Sequence, residues 1–281
     1  NAFKCAVARC ANDRPAPPTK GNPADSPLFN RAVQGVYELG STFKIFAAAQ
    51  ALEMGLVTPD TMVDIRGPLK WGKFRITDFH NYGKELSVHD IIMKSSNIGS
   101  ARLALQIGAD NQQKFLKSLG LFETTSVEMV EASGGKPKYP SDWKDISTIT
   151  ISYGHGLSAT PMHLAAAYAS ILNGGHKVTP TLIKQDYYER GPRVVSPQTS
   201  RQAREMLRSV VKEGTATFGN VPGYAVAGKT GTADKAKEMG GGYYEDRVIS
   251  TFASVFPAHD PKYVLVVTMD EPELATGIEP K

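Results

Sequence analysis

Ser41 and Lys44 form a Ser-x-x-Lys pattern that follows Gly40 and opens an apolar segment extending to Met54. Residues three positions apart on a helix share one face, so the Lys44 amine could reach the Ser41 hydroxyl. A lysine that loses its charge on burial can accept the hydroxyl proton and make the serine a nucleophile. Helix capping by the serine is the competing interpretation. The pattern recurs in predicted loops and on a predicted solvent-facing helix, at Ser133–Lys136, Ser141–Lys144 and Ser209–Lys212. Only Ser41 would begin a buried helix, where the amide groups favour an oxyanion.

Two other short motifs, further along the chain, carry compatible chemistry. Ser95 and Asn97 fall between two predicted helices, where a hydroxyl could relay a proton and a carboxamide could bind a substrate amide. The segment Lys229-Thr230-Gly231-Thr232 ends a predicted strand. Its ammonium and hydroxyls could hold a carboxylate, and Gly231 would let a ligand approach the backbone. Taken alone, ordinary capping explains Ser95 and Asn97 better. The occurrence of all three motifs in this order predicts one site around an activated serine.

A nucleotide-binding interpretation uses some of the same residues. The stretch Gly223–Thr230 matches the P-loop expression, and the apolar segment Val264–Met269 ends in Asp270-Glu271, as an acidic strand of such a protein would. A P-loop needs a strand before its first glycine and a helix after its lysine, whereas Pro222 precedes this stretch and a short polar segment follows it. A second pattern, Gly-x-Gly from Gly154, lacks the βαβ unit of a dinucleotide site. A P-loop nucleotidase is therefore only a remote alternative, and no dinucleotide site is expected.

The spacing of apolar residues predicts a helical middle followed by strands. Helices are predicted over Ser41–Met54, Ser87–Lys94, Ser100–Ile107, Asn111–Leu119, Met162–Leu172 and Ser200–Lys212. Strands are predicted over Phe3–Cys10, Tyr224–Lys229, Ile249–Phe256 and Tyr263–Met269, the last two joined by a turn. A proline-rich loop is predicted over Asp13–Pro27. This order of elements predicts an α+β fold with an antiparallel sheet.

Composition excludes several classes of protein. With 281 residues, 41% of them hydrophobic and 21% charged, the chain is globular rather than disordered or a coiled coil. The net charge of +4 is scattered, so no nucleic acid partner is expected. No apolar run reaches the ~20 residues of a membrane span. Cys5 and Cys10 lack partners at metal-ligand spacing; a local disulfide and two free thiols both remain open.

Beyond the three motifs, longer segments resemble a known family. Residues 30–44 (NRAVQGVYELGSTFK), 95–99, 153–161 (YGHGLSATP) and 228–233 resemble the transpeptidase domain of class B penicillin-binding proteins, above all the division-specific D,D-transpeptidases. The resemblance implies a penicillin-binding transpeptidase or serine β-lactamase-like fold, with an antiparallel sheet flanked by helices. It leaves open a sheet that is incomplete at both termini. We expect residues 1–281 to form a single transpeptidase domain, with an irregular segment over 1–28 and the family core over 29–275.

The resemblance also implies roles for the acylation step. Ser41 would attack the penultimate D-Ala carbonyl of a peptidoglycan stem peptide, with Lys44 as the base. Ser95 would carry a proton to the leaving amine, and Asn97 would orient the substrate amide. The backbone N–H groups of Ser41 and Thr232 would form the oxyanion hole.

The third motif would bind the substrate. Lys229 would act in the catalytic centre and, with Thr230 and Thr232, would bind the terminal carboxylate, while Gly231 would belong to the same substrate-binding segment. No metal or organic cofactor is implied. The implied partners are peptidoglycan stem peptides, β-lactam antibiotics and membrane proteins of the divisome. The implied location is the periplasmic domain of a single-pass inner-membrane protein whose anchor lies outside this chain.

A serine β-lactamase and a β-lactam sensor remain as alternatives. A lactamase of class A needs a glutamate with an asparagine a few residues on, and the candidates Glu128 and Glu131 lack that asparagine. A sensor would carry the same three motifs as the enzyme. The segments around Ser41 and Tyr153 favour the wall enzyme. The order of the loop Asp234–Asp246, beside the third motif, is left open by the sequence.

Overall fold

A computed structural model describes residues 26, 28–187, 189–237 and 242–272. Helices in this part are α1 (Lys44–Glu53), α2 (Val88–Met93), α3 (Asn97–Ile107), α4 (Ala109–Ser118), α5 (Asp145–Ser152), α6 (Pro161–Leu172) and α7 (Pro197–Lys212). Strands are β1 (Tyr37–Glu38), β2 (Met62–Asp64), β3 (Leu69–Trp71), β4 (Phe74–Ile76), β5 (Glu85–Ser87), β6 (Ser158–Ala159), β7 (Ala227–Ala236), β8 (Tyr243–Phe256) and β9 (Tyr263–Asp270). Short 3₁₀ segments cover Gly40–Phe43, Val130–Gly134 and Thr217–Gly219.

The central helix α1 lies in the core, as its apolar residues on all faces predict. Its residues from Lys44 to Leu52 are all buried. Phe46 packs edge-on against Phe43 and Tyr168, with ring centroids 5.2 Å and 5.7 Å away. The buried Tyr168 hydroxyl donates to the Thr42 carbonyl at 2.7 Å, which ties α6 to the 3₁₀ turn before α1. The regular α-helix begins at Lys44, so the predicted start at Ser41 falls in the 3₁₀ turn.

The other predicted helices are present, with shifted starts. The predicted capping serine of α2 is confirmed, because the Ser87 hydroxyl accepts the Asp90 N–H at 3.0 Å. The start predicted at Ser100 was wrong: α3 begins at Asn97, where the Ser96 side chain caps it. Likewise α7 begins at Pro197, after a capping Ser196, and not at Ser200. In both cases a serine cap and the residues after it extend the helix upstream of the apolar pattern.

The main sheet is antiparallel, in the order β7-β8-β9. The predicted hairpin of the last two strands is confirmed, with Phe256 opposite Tyr263. Helices α6 and α7 pack on the sheet, so helices flank it as expected. The predicted end of β7 at Lys229 was wrong: the strand runs on to Ala236, with Lys229 opposite Ala253. Main-chain pairing with β8 carries Gly231 and Asp234 into the sheet despite their low strand propensity.

Several sequence predictions fall outside the described residues. These are the strand Phe3–Cys10, the state of Cys5 and Cys10, and most of the loop Asp13–Pro27. In the loop Asp234–Asp246, the described ends belong to β7 and β8. Among the described helices, none is long and apolar enough to cross a membrane.

Candidate active site

Ser41 lies in the 3₁₀ turn Gly40–Phe43, which fits between β7 and the turn at Gly154. The backbones approach so closely that added side chains would overlap carbonyl groups: a Cβ on Gly154 would overlap Gly40, and one on Gly40 would overlap Thr232. Gly40 also has a φ of +54°, a region that favours glycine. These contacts fix the position of the serine turn against the third motif.

Gly231 has a packing role that the sequence did not predict. A Cβ at this position would overlap the Leu39 carbonyl and crowd Thr42, so its missing side chain admits the serine turn of this chain. That Gly231 also lets a ligand approach the backbone stays a prediction. Gly231 also lines the cavity beside Ser41.

Two buried lysines converge on the hydroxyl of Ser95. The Lys44 Nζ lies 2.9 Å from Ser95 Oγ, and the Lys229 Nζ lies 3.0 Å from the same atom. Lys44 also donates to the Ser95 carbonyl, and Lys229 to the Thr230 carbonyl at 3.2 Å. Lys44 and Lys229 are only 1% and 0% exposed. The first, second and third motifs therefore meet at one hydroxyl group.

Burial shifts both amines toward the neutral form. The pKa of Lys44 lies well below its ordinary value because of burial and the nearby positive charge of Lys229, while Asp78 opposes the shift. Burial lowers the pKa of Lys229 to about 7. An amine that is neutral near physiological pH can accept a proton, which an ordinary surface lysine cannot do. The pair therefore has the electrostatics of a general base beside a residual positive charge.

Ser95 adopts a strained backbone between α2 and α3. Its φ of +62° lies in the left-handed region, which is rare for residues other than glycine. The flanking chain is held in place, because Ser95 N–H donates to the Ile92 carbonyl at 3.3 Å and the Tyr82 hydroxyl to the Lys94 carbonyl at 3.1 Å. Strain of this kind persists where the surroundings enforce it, and it is common at functional sites.

Asp78 positions the second motif and was missed by the sequence reasoning. One carboxylate oxygen accepts the N–H groups of Asn97 and Ile98 at 2.6 Å and 3.0 Å, and the other accepts the Ser96 hydroxyl at 2.7 Å. The Asn97 side-chain amide donates to the Thr77 carbonyl at 2.9 Å. The sequence reveals a carboxylate that binds the first turn of a helix only when that carboxylate lies within or next to the turn. Asp78 instead reaches the first turn of α3 from a separate loop.

A cavity of about 190 Å³ opens beside Ser41. It is lined by Ser41, Phe79, His80, Tyr82, Lys94, Ser95, Thr215, Thr230, Gly231 and Thr232. The Thr230 hydroxyl lies 3.1 Å from that of Thr215. Of the eight predicted site residues, five line this cavity; Lys44 and Lys229 lie behind Ser95, and Asn97 lies beside the loop that carries Phe79. Three of the lining residues, Thr230, Gly231 and Thr232, are consecutive in β7, so a ligand in the cavity would lie beside this strand as well as beside Ser41 and Ser95.

The model of the penicillin-binding protein transpeptidase domain matches residues 6–280 of the chain. The chain belongs to this transpeptidase family. It is 34% identical to penicillin-binding protein PbpB of Mycolicibacterium smegmatis over 98% of its own length and 45% of that protein. It is 35% identical to the probable peptidoglycan D,D-transpeptidase FtsI of Caulobacter vibrioides, covering 90% of the chain and 44% of that protein. The chain thus spans less than half the length of these relatives.

Solved structures agree with this assignment. The transpeptidase domain of penicillin-binding protein 3 from Burkholderia pseudomallei superposes with a TM-score of 0.80 at 36% identity, covering 86% of this chain and 74% of that one. Penicillin-binding protein 3 of Mycobacterium tuberculosis, in complex with aztreonam, gives a TM-score of 0.80 at 32% identity and covers 87% of this chain and 59% of that one. The expected penicillin-binding fold is confirmed.

The P-loop interpretation is wrong for this family member. Within its pattern, Gly228, Lys229 and Thr230 lie in a strand that continues, where a P-loop would begin a helix. The acidic pair at the end of β9 is engaged within the protein, because Asp270 and Glu271 both form ion pairs with Lys235. Among the described residues, no group of three metal-ligating side chains clusters together.

The two glutamates considered for a lactamase are bound away from the transpeptidase cavity. Glu128 accepts the Thr181 hydroxyl at 2.6 Å and the Leu182 N–H at 2.8 Å. Glu131 accepts the Asn30 side-chain amide at 3.1 Å. Neither lines the cavity beside Ser41. The arrangement therefore offers no deacylating carboxylate at either of these two positions.

Proposed function

We propose that the protein is a serine peptidoglycan D,D-transpeptidase that crosslinks stem peptides through an acyl-enzyme on Ser41. The observation that carries the proposal is the convergence of Lys44 and Lys229 on the Ser95 hydroxyl, in the wall of the cavity that Ser41 lines. The names of its relatives as peptidoglycan D,D-transpeptidases support the same activity. We further propose a role in septal wall synthesis, on the strength of its likeness to FtsI.

In the acylation step, Ser41 Oγ attacks the carbonyl carbon of the penultimate D-Ala. Neutral Lys44 takes the hydroxyl proton, and the new C–O bond forms as the bond to the terminal D-Ala nitrogen breaks. Ser95, hydrogen-bonded to both lysines, passes its proton to that nitrogen and takes up the proton that Lys44 has gained, and D-Ala leaves as the free amine. An amine of a second stem peptide then attacks the ester carbonyl carbon. The new C–N bond forms as the bond to Ser41 Oγ breaks, and the proton that the amine loses returns to Ser41 Oγ.

Binding groups surround the path of the donor peptide. We assign the terminal carboxylate to Lys229, Thr230 and Thr232, because all three lie on β7, where Thr230 and Thr232 line the cavity and the Lys229 amine contacts Ser95 in its wall. The backbone N–H groups of Ser41 and Thr232 form the oxyanion hole, and the close contact between Gly40 and Thr232 holds these two segments together. Asn97, fixed by Thr77, orients the substrate amide.

The partners and location follow the same proposal. β-Lactams acylate Ser41, as the aztreonam complex of the M. tuberculosis homologue suggests for a common site. The natural partners are stem peptides and, in the full-length protein, membrane proteins of the divisome. We propose that the chain is the periplasmic domain of a single-pass inner-membrane protein.

Incubation of the protein with a D-Ala-D-Ala donor peptide and an amine acceptor tests the activity. We expect mass spectrometry to find the crosslinked peptide and one free D-Ala for each bond formed, with neither product from Ser41→Ala. Ser133→Ala, which removes the serine of another Ser-x-x-Lys pattern, is the control and should crosslink normally.

Two other results would overturn the proposal and identify a different function. Rapid, repeated hydrolysis of a penicillin without crosslinking would identify a β-lactamase. A stable penicillin adduct on Ser41 without any peptide product would identify a β-lactam sensor.

A further inference from the structure

The carboxylate of Glu38 joins three separate segments of the chain. Glu38 lies in β1, opposite Ser158 and three residues before Ser41. Its Oε1 accepts the Gly156 N–H at 2.8 Å. The Tyr243 hydroxyl lies 3.0 Å and 3.1 Å from the two carboxylate oxygens. One side chain thus connects the strand before Ser41, the turn at Gly156 and the beginning of β8.

The serine turn lies between two segments, which we call its walls: the turn at Gly154–Gly156 on one side and β7 on the other. Glu38 contacts the first wall directly and the second through β8, the strand paired with β7. On one side, the Gly154 carbonyl accepts the Gly40 N–H at 3.3 Å, in the same turn as Gly156. On the other side, β7 presses on the serine turn through Gly231 and Thr232. Tyr243 opens β8, which pairs with β7 along its length. Because each wall is in backbone contact with the turn, a tie between the walls restricts how far β7 can move from Ser41.

The carboxylate of Glu38 is partly buried and is held by neutral hydrogen-bond donors. Burial raises the pKa of Glu38, and the Gly156 N–H, His155 and the Tyr243 hydroxyl oppose that shift, while Asp234 adds to it. Burial and the neighbouring Glu38 raise the pKa of Tyr243, so its hydroxyl remains a donor at physiological pH. The His155 ring packs 6.2 Å from that of Tyr243. The carboxylate is thus held by neutral donors, with no Lys or Arg ion pair among the hydrogen bonds described for it.

We propose that Glu38 is a positioning residue that, through Gly156 and Tyr243, sets the spacing between Ser41 and Thr232 in the acylation step. The inference rests on the proposed function, because it concerns the oxyanion hole of that reaction. Small errors of position are costly there: a misplacement of about 1 Å can slow a reaction by about 10²-fold. Glu38 acts on the reacting atoms only through the backbone of the two walls.

Acylation by a fluorescent penicillin, followed by stopped flow, separates the binding constant from the first-order acylation constant. We expect Tyr243→Phe to lower the acylation constant about 5- to 20-fold with a binding constant within about 2-fold of wild type. Glu38→Ala should lower it about 30-fold or more, and the double variant should be no slower than Glu38→Ala, since both changes break the same tie. Glu38→Gln keeps an acceptor oxygen and should stay within about 5-fold of wild type.

Tyr244→Phe is the matched control, because Tyr244 is the next residue along β8 and packs its ring under Arg247 at 4.6 Å. It should acylate like the wild type, and thermal unfolding of each variant checks that it folds. Acylation by Tyr243→Phe within 2-fold of wild type would overturn the proposal, as would a Glu38→Gln variant as slow as Glu38→Ala. A wild-type protein that takes up no penicillin would instead overturn the proposed function itself.

Discussion

Lys44 and Lys229 share the Ser95 hydroxyl in a setting where burial and mutual repulsion disfavour two positive charges. Groups this close release their protons in steps that belong to the pair. The form proposed for acylation has one proton on the pair, with Lys44 neutral and Lys229 charged. Below the lowered pKa of Lys44 the base is protonated, and above the pKa of Lys229, about 7, the remaining charge is lost.

The pH dependence of acylation tests this arrangement. We expect the second-order acylation constant to be bell-shaped with an alkaline limb near the pKa of Lys229, about 7, because that constant reports groups of the free protein. Lys229→Arg should shift the alkaline limb to higher pH, since a guanidinium stays charged. The second-order constant for acylation by a penicillin is measured from pH 5 to pH 10 in steps of about one pH unit. If the alkaline limb of the pH profile does not move in Lys229→Arg, that limb belongs to the titration of another group and the assignment to Lys229 is wrong.

Substitutions of Ser95 separate chemistry from backbone strain. Ser95→Ala and Ser95→Gly both remove the shared hydroxyl, so each should slow acylation about 10²- to 10³-fold. They should differ in stability: the φ of +62° suits glycine, and Ser95→Gly should be more stable than Ser95→Ala by about 1 kcal/mol. Chemical denaturation measures this difference. Equal stability of the two variants, or acylation close to wild type in either, would contradict this account of Ser95.

At the scale of elements, the loop that carries Asp78 holds the start of α3 and with it the second motif. Asp78→Ala should lower the free energy of unfolding by about 1–2 kcal/mol, because two N–H groups of α3 and the Ser96 hydroxyl lose their acceptor. Acylation should slow as well, since Ser95 adjoins these groups. Asp78→Asn keeps one acceptor oxygen, so its unfolding free energy and its acylation rate should lie between those of the wild type and those of Asp78→Ala. An Asp78→Ala variant with wild-type stability and acylation would show that the hydrogen bonds of Asp78 to the start of α3 are dispensable.

The turn at Gly154 should tolerate no side chain. Gly154→Ala would drive a methyl group into the Gly40 carbonyl at a φ of +89°, and we expect a loss of about 2–4 kcal/mol in unfolding free energy. Gly55 is the matched control: its φ is +67°, but a Cβ there meets nothing within 4 Å. Gly55→Ala should therefore cost only the backbone strain, about 1 kcal/mol. Similar losses at both positions would mean that the close approach to Gly40 does not matter.

Local signals predicted the elements better than the contacts between them. The Ser87 cap of α2 and the last hairpin follow from patterns within a few residues. The length of β7 and the packing role of Gly231 could not be predicted in this way, because both depend on segments that are distant in the sequence. The length of β7 is set by its pairing with β8, and Gly231 is in close contact with the Leu39 carbonyl. The contribution of Asp78 was missed for the same reason, since it reaches α3 from eighteen or more positions upstream.

Across the whole molecule, the fold brings together the segments of the three motifs, as their order in the sequence predicted, and they meet at the Ser95 hydroxyl. The site holds Ser41 in a turn before α1, Ser95 between α2 and α3, and Lys229 inside β7. The sequence could supply the residue types and their order, and the family resemblance supplied the fold. The sequence could not show that both lysines contact Ser95 Oγ, since that requires α1 and β7 to pack around the same serine.

The central claim is that these segments activate one serine, and covalent labelling of that serine tests it most directly. The protein is treated with a labelled penicillin, digested with trypsin and mapped by mass spectrometry. We predict a single adduct on Ser41 that persists for hours, and none in Ser41→Ala or when the protein is denatured first. An adduct on another serine, or no adduct on the folded protein, would contradict the account.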